Sequence, residues 1–253
     1  MLVSRNALLC STVALVMAPA IAAAASLSVV AVSAPAINCV FEIDCTIVVT
    51  DSVGTIPIPN LTFGRARLQS RTFAGKAGAP AAGKTGYEYR VDLTTAVTDA
   101  EFSCVTDLAV DFGPVTKLQY DKTGPTDHVY VVTKGGLGKI GLWSAEQNGN
   151  VVTFTFNQPV CAGHSPNTGD TTFFFGLTSE FAPHAIIAKV GVPGLDPADV
   201  KARGPDHPRR VAPTITLERA APSAAQATDQ TATTPNRESS APLPKFVVHR
   251  SNL

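Results

Sequence analysis

Apolar and polar side chains alternate along many short segments of this chain, and residues 87–94 show the pattern most clearly. Positions 87, 89, 91 and 93 are Tyr, Tyr, Val and Leu, and the side chains between them are Glu88, Arg90, Asp92 and Thr94. Successive side chains of a β-strand point to opposite faces of a sheet, so strict alternation is typical of a half-buried strand. The sequence therefore predicts a strand here, with one face in the core and the other in water.

Similar runs separated by Gly, Pro and Asn turns predict about nine or ten short strands in all. Residues 139–146 and 151–156 flank Asn148-Gly149, a dipeptide typical of a β-hairpin turn. No stretch of helical length shows a 3.6-residue apolar period with capping residues. The pattern predicts an all-β fold, an antiparallel immunoglobulin-like β-sandwich over residues 37–204. The other predicted strands are residues 46–49, 62–73, 104–112, 129–132, 171–177 and 185–192.

The N-terminal segment has the layout of a secretory signal peptide. Arg5 is the only charged residue before Glu42, and an apolar run followed by small residues leads to Ala25. We expect residues 1–25 to be the signal peptide and residues 26–36 to be a linker or a first strand. Two alternatives stay open. Cleavage could follow Ala36, or the uncharged segment could be retained as an anchor, since it is long enough to cross a bilayer.

Four cysteines remain after cleavage at Ala25, namely Cys39, Cys45, Cys104 and Cys161. An even number in an exported chain predicts two disulfides, and four cysteines permit three connectivities. We favour Cys39–Cys45, which closes a local loop, together with Cys104–Cys161, which joins two distant strands, although the sequence alone does not decide. Neither pair has a C-x-x-C spacing or a histidine at ligand spacing, so no metal is expected.

The charge balance disfavours one class of partner and distinguishes the C-terminal segment. Lys plus Arg and Asp plus Glu both number 20 in 253 residues, so a chain-wide electrostatic grip on nucleic acid is disfavoured. Residues 26–200 hold 11 basic and 16 acidic side chains, whereas residues 201–253 hold 8 and 4. We expect residues 205–253, rich in Pro, Ala and Thr, to form a disordered basic tail. An anionic surface polymer is its candidate partner.

Few residues invite a specific chemistry. Arg65, Arg67 and Arg71 fall on alternate positions and form a possible anion-contact stripe, for which a solvated strand face is the simpler interpretation. Residues 78–85 match the phosphate-binding pattern G-x-x-x-x-G-K-[ST], but an alternating strand follows where that site needs a helix. The five histidines are scattered singly. No catalytic residue, cofactor or metal ligand is therefore assigned.

Several short segments together resemble a group of exported bacterial β-rich proteins of unknown function. They are residues 39–51, 66–70, 110–114, 135–138 and 173–179, and the resemblance covers residues 37–204. It implies a secreted β-rich domain and supplies no activity or site residue. The sequence thus favours a secreted, non-catalytic structural or binding module of unknown ligand, at the cell surface or outside it. The alternative is a secreted hydrolase acting on an envelope or environmental polymer.

Overall fold

The computed structural model describes residues 23–100, 103–121 and 124–208. Within these ranges the chain forms strands and one short helix, so the predicted all-β class is confirmed. The elements are β1 (Ala25–Ser26), β2 (Val29–Ser33), α1 (Ala34–Phe41), β3 (Thr50–Ile56), β4 (Leu61–Phe63), β5 (Ala66–Ala74), β6 (Thr85–Asp92), β7 (Val97–Thr98), β8 (Cys104–Asp111), β9 (Val129–Lys134), β10 (Leu142–Asn148), β11 (Val151–Cys161), β12 (Phe175–Ser179), β13 (Pro183–Gly191) and β14 (Ala198–Pro205).

Two six-stranded sheets contain most of these strands. The first sheet has the order β1-β10-β11-β8-β13-β14 and is antiparallel throughout. The second sheet has the order β2-β9-β12-β6-β5-β3 and is mixed, because β2 pairs with β9 in parallel. Strands β4 and β7 form a small separate pair. The β10–β11 hairpin turns at Gly149, which has a φ of 60°; glycine adopts this conformation without strain.

The largest hydrophobic cluster contains residues from both six-stranded sheets. Tyr87, Tyr89, Val91 and Leu93 all belong to it and have no exposed surface, which confirms the predicted core face of β6. The hydroxyl groups of the two tyrosines remain hydrogen-bonded. Tyr87 donates to the carbonyl of Phe181 at 2.8 Å, and Tyr89 donates to a carbonyl of β14 at 2.8 Å. Buried aromatic side chains with a satisfied hydroxyl contribute a large apolar area at little polar cost.

Three local expectations were wrong. Residues 62–73 are not one strand, because the chain turns at Gly64, which has a φ of 72°, and β4 and β5 belong to different sheets. Residues 46–49 are not a strand, because Ile47 and Val49 pack against a second hydrophobic cluster over the outer face of the second sheet, and β3 begins only at Thr50. Residues 34–41 form helix α1, which the periodicity did not reveal because the helix has only eight residues. Its Pro35 lies in the first turn, where a missing N–H is tolerated.

The described domain is longer than residues 37–204. Strand β1 pairs with β10 in the first sheet, β2 pairs with β9 in the second, and Leu27 between them is buried in the main core. At the other end, His207 is also buried. Most of the predicted signal peptide, residues 1–22, and most of the predicted tail, residues 209–253, lie outside the described residues.

Two disulfides join Cys39 to Cys45 and Cys104 to Cys161, which is the connectivity favoured from the sequence. The first links α1 to the loop that precedes β3. The second joins directly opposite residues of β8 and β11. Disulfides of this kind are compatible with an extracellular or envelope location.

Candidate functional site

Glu88 is the residue whose position differs most from the sequence-based expectation. The alternation of side chains in β6 predicts that Glu88 lies on the solvent-exposed face, but its exposed fraction is only 4%. Helix α1 and the loop that follows it cover this part of the second sheet with a second hydrophobic cluster, which includes Ile37, Phe41 and Phe174. A charged side chain that is buried without an ion pair is rare and needs a physical account.

A row of directly opposite residues across the second sheet places Glu88. Asp51 of β3 lies opposite Arg71 of β5, and Arg71 lies opposite Glu88 of β6. The next residue along the row is Gly176 of β12, and beyond it is Tyr130 of β9. Because Gly176 has no side chain, the Tyr130 hydroxyl reaches across it and donates a hydrogen bond to Glu88 Oε1 at 3.2 Å.

The surroundings of Glu88 favour its neutral form. Burial raises the pKa of the Glu88 carboxyl to about 7, even though the Arg71 charge and the Tyr130 hydrogen bond act to lower it. Desolvation disfavours the charged form of an acid, and here it outweighs the nearby guanidinium. A carboxyl with this pKa changes its protonation state near neutral pH, as binding and catalytic acids do.

Two arginines hold the aromatic ring next to Glu88. The guanidinium carbons of Arg71 and Arg90 lie 4.1 Å and 5.3 Å from the centre of the Phe174 ring. Each arginine also forms an ion pair, Arg71 with Asp51 at 2.8 Å and Arg90 with Asp92 at 2.7 Å. Stacking on the ring and pairing with a carboxylate together restrict both guanidinium groups and the ring between them.

Glu88, Arg71 and Phe174 line a cavity of about 350 Å³ between the second sheet, α1 and two loops. We call it the Glu88 cavity. Its polar lining includes Glu88, Arg71 and the Asn38 carboxamide. The other side chains that line it are apolar, and the Cys39–Cys45 disulfide ties α1 to the loop that carries Ile47 and Val49. The apolar lining includes Ala34, Ile37, Ile47, Val49, Val132 and Phe174.

The three arginines of the predicted stripe do not all lie in one strand. Arg67 and Arg71 lie in β5, whereas Arg65 precedes that strand. Arg67 lies opposite Asp92, and Arg71 is paired with Asp51. Each of these two arginines therefore has a carboxylate neighbour, and Arg71 faces the Glu88 cavity. An anion-contact role for the three arginines stays a prediction.

A second cavity of about 720 Å³ lies where β13, β14 and residues 206–207 meet. His207 Nε2 lies 3.0 Å from Asp111 Oδ1 at its edge. His184 Nδ1 and Arg203 Nε are buried there without a hydrogen-bond partner. Ser52 also lines this cavity, but within the described ranges its hydroxyl forms no hydrogen bond to either histidine. A Ser-His pair ready for nucleophilic catalysis would need that bond.

The other motifs occupy loops. Residues 78–85 lead directly into strand β6, which is the arrangement expected for a surface turn. Among residues 23–100, 103–121 and 124–208, no three His, Cys, Asp or Glu side chains lie close enough together to hold a metal ion. Over the same ranges, no helix has the length and apolar character needed to cross a membrane.

Comparison of the whole chain with protein-family profiles, curated proteins and solved structures finds no match.

Replacing Gly176 by alanine tests the row that places Glu88. A methyl group there would lie 2.3 Å from the Tyr87 carbonyl oxygen and 2.6 Å from the Tyr130 hydroxyl, so β12 or Tyr130 must move. We expect Gly176→Ala to lower the free energy of unfolding by about 2 kcal/mol in urea titrations. The matched control is Gly141→Ala, which should not lower the stability, because an added methyl group there lies no closer than 3.5 Å to its neighbours. An unchanged stability would show that Gly176 is not needed for the close approach.

Proposed function

We propose that this chain is an exported, non-catalytic binding module that holds a small molecule in the Glu88 cavity. The observation that carries the proposal is the Glu88 carboxyl, which is buried and lines a cavity together with Arg71, Asn38 and several apolar side chains. Concave sites with apolar walls and a few convergent polar groups are typical of small-molecule binding sites. A carboxyl with a raised pKa in such a cavity adds to that argument.

The hydrogen bonds of Glu88 are compatible with a binding role. Tyr130 satisfies Oε1, but within the described ranges no side chain or backbone group donates to Oε2. Oε2 therefore keeps its capacity to accept a hydrogen bond. A ligand in the cavity that carries a hydrogen-bond donor would use that capacity.

The size and lining of the cavity define a broad class of ligand. A volume of about 350 Å³ accommodates a molecule of about ten non-hydrogen atoms, at about 30 Å³ for each water-sized group. The apolar walls favour a hydrocarbon or aromatic body. Glu88 favours a ligand with one polar group at its inner end, because that group can donate a hydrogen bond to the Glu88 carboxyl.

Export is part of the proposal. Two disulfides fit an oxidising compartment outside the cytoplasm, and the N-terminal pattern supports a signal peptide. Cleavage after Ala36 would remove β1, β2 and the first residues of α1. We therefore propose cleavage after Ala25, which leaves all the elements of both sheets except the first residue of β1. The resemblance to exported bacterial proteins supports the same compartment.

The finer features of the architecture are also proposals. The core shared by the two sheets supports face-to-face packing as in an immunoglobulin-like sandwich. The composition of residues 205–253 beyond β14 supports a disordered basic tail. We propose that this tail contacts an anionic surface polymer, which would hold the binding domain at the cell surface.

Matched substitutions in the cavity wall test the binding function. Val49 lines the Glu88 cavity, whereas the adjacent Val48 is 81% exposed. We expect millimolar p-cresol, an aromatic ring with one hydroxyl, to shift the backbone amide resonances of cavity residues in nuclear magnetic resonance spectra. Val49→Phe should abolish these shifts because the larger ring fills the cavity, and Val48→Phe should leave them unchanged.

Two outcomes would contradict the binding function. One is an absence of shifts at the cavity residues of the unmodified protein. The other is equal shifts in both variants, which would place p-cresol elsewhere. Both variants must first show the melting temperature of the parent protein within a few degrees, so that a loss of shifts reports on the cavity.

The hydrolase remains the second candidate because of the larger cavity. Asp111, Asp206, His184 and His207 line it together, and the His207–Asp111 contact is of the kind that orients an imidazole for acid-base catalysis. Hydrolysis of an envelope polysaccharide that is lost in His207→Ala would favour this candidate. The same substitution leaves the Glu88 cavity intact, so the two functions are separable.

A further inference from the structure

A guanidinium and a titratable carboxyl line the Glu88 cavity from neighbouring strands. Arg71 and Glu88 are directly opposite in the β5–β6 pairing, which places their Cβ atoms about 5 Å apart. They do not form an ion pair with each other, because Arg71 Nε lies 2.8 Å from Asp51 Oδ1 on the far side. The cavity therefore presents a cationic guanidinium and a titratable carboxyl side by side.

Both groups have bonding capacity left. Arg71 uses Nε for Asp51, and within the described part of the chain its two terminal nitrogens donate no hydrogen bond. Glu88 accepts one hydrogen bond, at Oε1. A guanidinium has five N–H donors and a carboxylate has about four acceptor positions. A ligand that carries an anion and a cation a few ångströms apart would use both.

We infer that the Glu88 cavity binds a free α-amino acid with an apolar side chain, its carboxylate on Arg71 and its ammonium group on Glu88. This inference rests on the proposed binding function and names the ligand class. Ile37, Ile47, Val132 and Leu137 then surround the side chain. Leucine, with about nine non-hydrogen atoms, fits the available volume of about 350 Å³.

A ligand with only one charge fits this lining less well. A simple amine could bind Glu88, but it would bring its cation near Arg71 without an anion of its own to offset that charge. A simple carboxylic acid would place its anion next to Glu88. The amino acid adds no net charge to the cavity, and each of its charged groups faces a group of opposite sign.

Isothermal titration calorimetry with three related probes tests the ligand class. The probes are L-leucine, 3-methylbutylamine, which lacks the carboxylate, and 4-methylpentanoic acid, which lacks the ammonium group. At pH 8 we expect the full chain to bind L-leucine about 10- to 100-fold more tightly than either of the other two, because each lost contact is a charged hydrogen bond. Glu88→Gln should weaken L-leucine binding by a similar factor.

The control variant is Glu180→Gln, since the Glu180 side chain is 71% exposed and lies in a loop beyond β12. It should bind L-leucine as the parent protein does. If p-cresol binds in the cavity but L-leucine binds no better than the amine and the acid, the amino-acid inference is wrong and the binding function stands. If p-cresol also fails to bind, both proposals fail together. Equal effects of the two glutamine substitutions would also overturn the inference.

Discussion

Replacing Cys104 and Cys161 together by alanine is expected to lower the free energy of unfolding by about 4 kcal/mol. This disulfide joins residues 57 positions apart, so its loss frees a long loop in the unfolded chain. The chain-entropy treatment of a loop of this length gives about 4 kcal/mol at 25 °C. Urea denaturation of the double variant under oxidising conditions measures the loss.

The matched control is the double variant at Cys39 and Cys45, which are separated by only 6 positions. The same treatment gives about 2 kcal/mol for this short loop. We expect the second variant to lose less global stability but to alter the Glu88 cavity more, because this bond ties α1 to the cavity wall. Equal losses of stability in the two variants would contradict the loop-length account.

The Glu88 carboxyl is expected to make the protein less stable as the pH rises towards 7. Burial raises its pKa from about 4.5 to about 7 in the folded state, so the folded protein holds the proton more tightly than the unfolded chain. The resulting stabilisation is fully present below about pH 4.5 and is lost as the pH rises through 7. At 1.36 kcal/mol for each pH unit, the loss is about 3 kcal/mol.

Glu88→Gln isolates this contribution from those of other titrating groups. Glutamine has nearly the same shape and keeps an oxygen for the Tyr130 hydroxyl, but it does not titrate. We expect the stability of the parent protein relative to Glu88→Gln to fall by about 3 kcal/mol between pH 4.5 and pH 8, measured by urea denaturation. A difference that stays constant over this range would show that Glu88 is solvated in the folded protein.

The alternation of apolar and polar residues was sufficient to predict the main core. Tyr87, Tyr89 and Val91 are buried as their spacing indicates, because a strand with one apolar face has only one way to bury it. The hairpin at residues 148–149 and the two disulfides were also accessible from local signals. These features depend on neighbours in sequence, or on a residue type with only a few possible partners.

The candidate site was not predictable by the same means. Glu88 looked like a solvated residue, because nothing in β6 itself reveals that α1 covers it. That helix has eight residues and begins with Ala34 and Pro35, too short a segment for a helical period. The row from Asp51 to Tyr130 depends on the pairing of β3, β5, β6, β12 and β9, which are distant in sequence. The one hint is that charged residues of β3, β5 and β6 occupy directly opposite positions. This hint can be used only after the strand partners are known.

Strand β14 has no clear sequence signal for a related reason. Its outward positions carry Lys201 and Arg203, and Gly204 and Pro205 end it, so its composition is similar to that of the basic segment that follows. Its pairing with β13 over residues 183–190 gives it a place in the sheet. Strand pairing, which the composition of a single segment does not reveal, thus decided both the position of the last strand and that of the candidate site.

The most direct test of the Glu88 cavity is the pKa of Glu88 itself, measured from its side-chain carboxyl carbon resonance. We expect a midpoint near pH 7 in the free protein and a lower midpoint in saturating L-leucine, because the ammonium group stabilises the ionised carboxyl. A midpoint near 4.5 that L-leucine does not change would contradict the account, since it would show a solvated carboxyl and no bound ammonium group.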